Sequence, residues 1–271
     1  MTAELNIYQK IDLVCERLDG YILHNPTSAK ISYSGGRDSH LLLHIARNIL
    51  KYDNNKLPVV YAKTHNEFAE IRHRIEEQDV TTIDNHRRIF EIFQTEGLPL
   101  WGKQFSKYWN DLYVKHWNVK ISNETILNDY NKRCDWANSC GLCLSEKCCK
   151  FLKEDILHKN KANIVGLRMA EKGRRSTGKN KEYDFCVQNS KVLFKPIFDI
   201  SDSELTEMEK VLNIPQLNIY NYLDRTGCVM CGFGTKKQIK EKINYLRWCE
   251  PVRAAFYIKY FNKYLKYRKI I

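Results

Sequence analysis

The chain has 271 residues, 43% of them hydrophobic, and carries 44 Lys and Arg against 32 Asp and Glu, a formal net charge of +12. That length supports one good core with room for an appended lobe, and the apolar content excludes a disordered chain. No apolar run approaches membrane-spanning length, and residues 1–20 interleave acids with apolar residues, unlike a signal peptide. The expectation is a cytoplasmic protein with no membrane role. In that compartment the 10 cysteines read as metal ligands or buried thiols rather than disulfides. The basic excess favours a polyanionic partner such as DNA or tRNA, the alternative being a solvated basic surface.

In chain order, Leu5, Ile7, Ile11, Val14, Leu18 and Ile22 recur near helical period and predict a helix over 3–23. A short β-prone run, Ile31-Ser32-Tyr33, then leads into Ser34-Gly35-Gly36-Arg37-Asp38-Ser39, with an apolar-periodic helix predicted from His40 to about Leu50. Paired glycines let the backbone turn tightly and approach a ligand without Cβ interference. The helix behind them turns its free N–H groups and positive dipole end toward the turn, and Ser34 and Ser39 add hydroxyls, a cradle for phosphate oxygens. The plainer alternative is a strand–turn–helix connection capped by Asp38 or Ser39. The spacing is not that of a Walker A loop.

Val59-Val60-Tyr61-Ala62 predicts a second buried strand, with Thr64 at its carboxyl end, where ligands bind in open α/β sheets and where the 61–64 backbone could read an adenine edge. A helix over 67–78 and a strand over 80–83 continue the rhythm. The fold class expected is α/β, a doubly wound parallel Rossmann-like sheet with a helical insertion at about 86–150 and a C-terminal helical segment. Residues 86–131 read as mostly helical, with Trp101, Tyr108, Trp109, Tyr113 and Trp117 among Lys103, Lys107 and Lys115. This is either a stacking face for nucleic acid or core aromatics beneath solvated lysines. Residues 163–168 read as another buried strand, ending in Gly166 and Arg168, with Arg175 beyond; the two guanidinium groups suit an anion. A helix over 201–212 follows. Residues 236–271 read as basic helix, facing nucleic acid or covering the core.

Cys148-Cys149 and Cys228-Val229-Met230-Cys231 form the second informative pattern. Four thiolates suit a 4Fe-4S cluster or structural zinc, and adjacent cysteines favour the cluster because zinc sites space their ligands by two to four residues. Cys134, Cys140 and Cys143 could donate to zinc or act as redox or sulfur-carrying thiols. Cys15, Cys186 and Cys249 sit in apolar patterns and read as inert core.

The Ser34–Ser39 loop resembles the pyrophosphate loop (SGGxDS) of the N-type ATP pyrophosphatase superfamily. Gly166, Arg168, Glu171 and Arg175 are similar to the GxRxxExxxR element of the sulfonucleotide (PAPS) reductase family, as are 195–199 and the helix after it. Cys148-Cys149 with Cys228 and Cys231 resembles the CC…CxxC pattern of the iron–sulfur members. The resemblance covers about 28–234 and implies a nucleotide-binding domain at 1–235 followed by a basic segment at 236–271. It further implies that Ser34, Gly35, Gly36, Arg37, Asp38, Ser39, Thr64, Gly166 and Arg168 bind ATP with Mg²⁺, that Asp38, Ser39, Arg168 and Arg175 act in catalysis, and that the four cysteines hold the cluster. The Glu-Cys-Gly-Leu-His element that carries the attacking thiolate of assimilatory reductases has no counterpart here. The expectation therefore moves toward an ATP pyrophosphatase that adenylates DNA or tRNA for sulfur insertion, with a cysteine desulfurase or other sulfur donor as partner. The alternatives are a sulfonucleotide reductase using Cys140, Cys143 or Cys249, and a non-catalytic nucleotide-binding subunit.

Overall fold

The computed structural model describes residues 5–161, 163–170, 186–189 and 191–271, with 186–189 and 191–192 described by backbone alone. The chain divides into two compact units, Met1–Ala62 with Glu70–Asp84 and Ile156–Leu217, and Lys63–Ala69 with Asn85–Asp155 and Asn218–Ile271. The strands are β1 (Ile31–Tyr33), β2 (Val59–Lys63), β3 (Thr81–Asp84), β4 (Leu100–Trp101), β5 (Ile164–Val165), β6 (Cys186–Asn189), β7 (Lys191–Phe194) and β8 (Gly232–Phe233).

The first unit is built on a six-stranded sheet in the order β3-β2-β1-β5-β7-β6. β1 runs parallel to both β2 and β5, with Ile31 opposite Val59 and Ile164, and β5 runs parallel to β7; β6 is an antiparallel edge on β7. Leaving β1, the chain fills one side of the sheet and then returns to fill the other, so the direction of winding reverses beside β1, where such sheets hold ligands. The expected α/β class and parallel core are observed. β2 is buried along nearly its whole length and β3, at the edge, is largely exposed, the contrast expected between a central parallel strand and a sheet margin.

α1 (Ile7–His24) begins with a capping box, Asn6 accepting from Gln9 N, and buries Ile11, Val14, Leu18 and Ile22. It packs along the helix Asp202–Val211, where Arg17 grips Asp199 through two bonds of 2.8 and 3.0 Å. α2 (Arg37–His44) starts three residues earlier than the apolar pattern suggests and runs into a π-helical turn over Ile45–Ile49. Leu41, Leu42, Ile45 and Ala46 are fully buried; each large aliphatic among them contributes about 1.5–3 kcal/mol by leaving water.

The second unit joins the helices α4 (Ile89–Thr95), α5 (Lys103–Tyr113) and α6 (Glu124–Ser139) to the C-terminal helices Lys236–Cys249, Pro251–Tyr260 and Asn262–Tyr267. β4 and β8 pair in parallel, Leu100 with Gly232 and Trp101 with Phe233. The Tyr264 hydroxyl accepts from Trp101 N at 3.0 Å and from Arg268 at 2.8 Å, and donates to Gly232 O at 3.0 Å. The insertion's aromatics divide. Tyr108 and Trp109 are core, whereas Trp117 is exposed with Lys115 over its ring. Trp101 packs edge-on against Phe105, Trp136 and Tyr264. Cys249, expected in the core, is exposed. The inward phase of its helix runs through Ile239, Ile243 and Leu246, and the helix ends at Cys249 before Pro251 turns the chain. Among the described residues no helix is long and apolar enough to cross a membrane.

Candidate functional sites: a phosphate loop and a cysteine cavity

The loop Ser34–Ser39 leaves the carboxyl end of β1 at the point where the winding of the sheet reverses. Gly35 has φ +72°, and a Cβ there would meet Ile75 and Ile71 at 2.8 and 2.9 Å, so only glycine suits both the backbone and the space. Gly36, not Asp38 or Ser39, is the N-cap residue of α2, and among the described residues no side chain caps that helix. The end of α2 is therefore left for an anion, in keeping with its dipole. Ser34 and Ser39 brace the turn: their hydroxyls lie 3.0 Å apart, Ser34 N donates to Ser39 Oγ at 3.2 Å, and Ser39 Oγ donates to Gly36 O at 3.1 Å.

Asp38, in the first turn of α2, is held by Arg168 Nε. Arg168 is buried, and its other nitrogens donate to Ile200 O at 3.2 Å and Asp202 Oδ1 at 2.8 Å. The sequence reading gave Arg168 to a bound anion; here its fork fixes the loop carboxylate. Gly166 serves the same end, since a Cβ there would meet Asp38 C and Ser39 N at 2.8 Å. Arg37, expected to bind nucleotide, turns to Glu209 through two bonds of 3.0 Å from Nε and reaches Thr206 at 2.9 Å. Beneath the loop His40 bonds the Tyr33 hydroxyl at 2.9 Å. Burial first, then Arg74, pushes its pKa down to about 4, so the ring is neutral. Arg175 and Glu171 lie outside the described residues.

Thr64 belongs to the second unit. Its N–H and hydroxyl both donate to Glu67 Oε1, at 3.0 and 2.5 Å, so the N–H expected to read an adenine edge is already engaged.

Also in the second unit, Cys148, Cys149, Cys228 and Cys231 line one cavity with Asn66 and Lys153. The first pair rides on the one-turn helix Lys147–Cys149. The second sits on a turn preceded by Gly227 at φ +51°. That turn is pinned: Val229 N donates to Asn66 O and Met230 N to Asn66 Oδ1, both at 2.8 Å. The buried Lys242 ammonium donates to Cys228 O at 3.3 Å and Cys231 O at 2.9 Å, and Tyr257 also donates to Cys231 O. Cys148 and Cys149 share a hydrogen bond, which raises Cys148 and lowers Cys149; burial opposes the fall and Lys103 and Lys153 assist it. Cys231 is pushed up to about 11 by burial, against the pull of Lys242. Lys153 is held protonated by Cys228 first, against burial, with help from Cys149 and Glu67.

Among the described residues no three or more His, Cys, Asp or Glu side chains form a ready metal-holding group. The cavity that the four cysteines line holds a space of only about 20 Å³; within it Cys148 bonds Cys149 and Cys228 bonds Lys153. The four sulfurs must part to admit a cluster. As a donor set, four thiols from two segments beside Lys153 and the buried Lys242 fit a four-thiolate group of negative net charge. Cys15 and Cys134 are buried thiols raised to about 11 by burial first, which makes them inert. Cys140 and Cys143 do not line the cavity, and the Cys143 thiol, exposed, donates to Glu96 O at 3.6 Å. The Cys186 side chain lies outside the described residues. Asn66, Lys153 and Lys242 escaped the sequence reading, because nothing local marks a residue whose partners are far away in the chain.

No family model matches the chain, and no curated protein matches it. Solved structures with some similarity include Candida glabrata FMN adenylyltransferase in complex with FMN and the ATP analogue AMPCPP (13% identity, TM-score 0.46, covering 84% of this chain and 68% of that one). Others are the NH3-dependent NAD synthetase of Campylobacter jejuni in complex with nitrate (15%, 0.40, 94% and 92%) and the U34-tRNA thiolase NcsA of Methanococcus maripaludis with its 4Fe-4S cluster (12%, 0.42, 96% and 80%). At such identities the residues of this chain must carry the functional reading.

Proposed function

We propose that the chain is an ATP pyrophosphatase that adenylates a position on DNA or tRNA for sulfur insertion. The observation that carries this reading is the uncapped start of α2 behind the Ser34-Gly35-Gly36 turn, at the carboxyl end of β1, where the sheet's winding reverses. The β,γ-phosphates of ATP would rest on the loop's N–H groups and the hydroxyls of Ser34 and Ser39. Asp38, fixed by Arg168, is the carboxylate available to a Mg²⁺ that accompanies ATP; that ion would neutralise the separating phosphates. An acceptor oxygen attacks the α-phosphorus, the α–β bridge breaks, and pyrophosphate leaves with the charge the loop is built to hold. The terminal sulfur of a donor persulfide then displaces AMP from the activated position, and a second donor thiol attacks the donor-side sulfur of the resulting disulfide, which leaves the sulfur on the acceptor and the donor oxidised as its own disulfide.

Cys148, Cys149, Cys228 and Cys231 would hold a 4Fe-4S cluster, with zinc as the alternative. When bound, such a cluster would supply a site that can hold sulfur. The chain's own contribution there is the pinned turn 228–231 and the charge of Lys153 and Lys242. A nucleic-acid partner is supported by the segment from Lys236 onward, which holds 11 Lys and Arg against Glu241 and Glu250. The exposed rings of Tyr222 and Trp248, the latter in this segment, lie 5.4 Å apart, a surface suited to stacking on bases.

ATP–pyrophosphate exchange by anaerobically purified protein, with DNA and tRNA supplied in parallel, tests the reading. Exchange or pyrophosphate release that depends on one nucleic acid is expected. Binding of a sulfonucleotide with sulfite release, and no binding of ATP, would overturn it in favour of the reductase.

A further inference from the structure

Asn66 is 2% exposed and lines the cysteine cavity. Its backbone is fully committed: the N–H donates to Thr64 Oγ1 at 3.2 Å and Glu67 Oε2 at 3.0 Å, and the carbonyl accepts from Val229 N. The side-chain oxygen accepts from Met230 N at 2.8 Å. That bond fixes the orientation of the carboxamide, because only oxygen can accept from a backbone N–H. The amide nitrogen is therefore the free end. Among the described residues Nδ2 has no hydrogen-bond partner and no exposure to solvent.

A buried NH2 with both hydrogens unmet is costly, and native structures leave few such groups without a reason. The surroundings limit what can satisfy it. The side chains of Ile89, Leu152 and Met230 offer no strong acceptor, no described backbone carbonyl bonds Nδ2, and the remaining lining is Lys153 and four cysteines. Lysine only donates. Sulfur in a thiolate or a sulfide is the acceptor chemistry the cavity provides.

We infer that Asn66 donates through Nδ2 to sulfur of the group held by Cys148, Cys149, Cys228 and Cys231, and so sets that group's stability and reduction potential. This inference rests on the four-thiolate reading proposed above. Asn66 is a positioning residue with two ends: Oδ1 holds the turn that presents Cys228 and Cys231, and Nδ2 hydrogen-bonds what those cysteines bind. Hydrogen bonds to sulfur spread negative charge and favour the reduced state of iron–sulfur groups.

Asn66→Asp separates the two ends, since it keeps an oxygen for Met230 N and removes the donor. The full-length protein is purified anaerobically as native, Asn66→Asp and Asn66→Ala, and its iron, acid-labile sulfide, midpoint potential and rate of iron loss to a chelator are measured. Metal-free melting curves report any change in the fold. The expected result is native-like iron content in Asn66→Asp, a more negative midpoint and iron loss about ten-fold faster. In Asn66→Ala, which also releases the turn, loss is faster again. An unchanged midpoint and unchanged chelation rate in an iron-loaded Asn66→Asp would overturn the inference and leave the four-thiolate reading intact. A native protein that takes up no iron or sulfide would overturn both.

Discussion

The Ser34–Ser39 loop and the cysteine cavity differ in how they treat their own polar groups. In the loop nearly every side chain is answered from within: Ser34 and Ser39 bond each other, Arg168 holds Asp38, and Glu209 holds Arg37. The cavity leaves Asn66 Nδ2 unanswered and sets Lys153 and the buried Lys242 against sulfurs whose charges repel one another. A site arranged like the loop is preorganised and waits for its ligand at little cost to the fold. A site arranged like the cavity is incomplete until something fills it. The two should therefore respond to mutation independently.

The largest effect is expected in the cavity. Cys228→Ser should lower bound iron from about four atoms per chain to below about one, whereas Cys140→Ser should leave it unchanged by iron assay and visible absorbance. Equal losses in both would remove the distinction between the cysteines that line the cavity and those that do not. Next comes the loop. Gly166→Ala would force a methyl against the Asp38–Ser39 backbone at 2.8 Å, and pyrophosphate release should fall about 100-fold, near 2.7 kcal/mol of lost transition-state stabilisation. Iron content should not change; if it falls in step, the two sites are one cooperative structure and the contrast breaks.

Much of the loop could be read directly from the chain, because Gly35, Gly36 and their flanking serines act through local backbone geometry. The first three strands of the sheet were legible for the same reason: Ile31-Ser32-Tyr33 and Val59–Lys63 are compact β-prone runs with helices between them. β4 and β8 were not. They are two residues each, joined by pairing Leu100 with Gly232 and Trp101 with Phe233, positions 132 apart in sequence, and two residues show no period. The four cysteines were legible as a set, but not the groups that pin them. Asn66 looks like any polar residue after a strand until Met230 N is placed beside it. Cys249 misled because apolar neighbours signal burial only while a helix still has something to pack against.

A smaller effect sharpens the comparison on the nucleic-acid side. Trp248→Ala should weaken binding of single-stranded oligonucleotides about ten-fold by fluorescence anisotropy, with iron content and ATP–pyrophosphate exchange in the absence of nucleic acid unaltered. No weakening would return the helix Lys236–Cys249 to the role of cover.

The smallest concerns His40 beneath the loop. Its folded pKa of about 4 lies below the ordinary value of 6.5, so between these values the unfolded chain takes up a proton that the folded chain refuses. Stability is fully present above the ordinary value and is lost as pH falls toward 4. The loss between pH 7 and 5 should be about 1–2 kcal/mol, read as a lower denaturation midpoint, and His40→Gln should remove most of that slope. A slope unchanged by the substitution would place the acid sensitivity elsewhere.

The three bonds at the Tyr264 hydroxyl bear on any shortened version of this chain. One oxygen near the carboxyl terminus ties residue 101 to the strand that leaves Cys231. Trimming the tail at 260 would spare every cysteine and every loop residue, yet loosen the scaffold under two of the four sulfurs. Tags and truncations at this end should be judged by metal retention before they are trusted for assay.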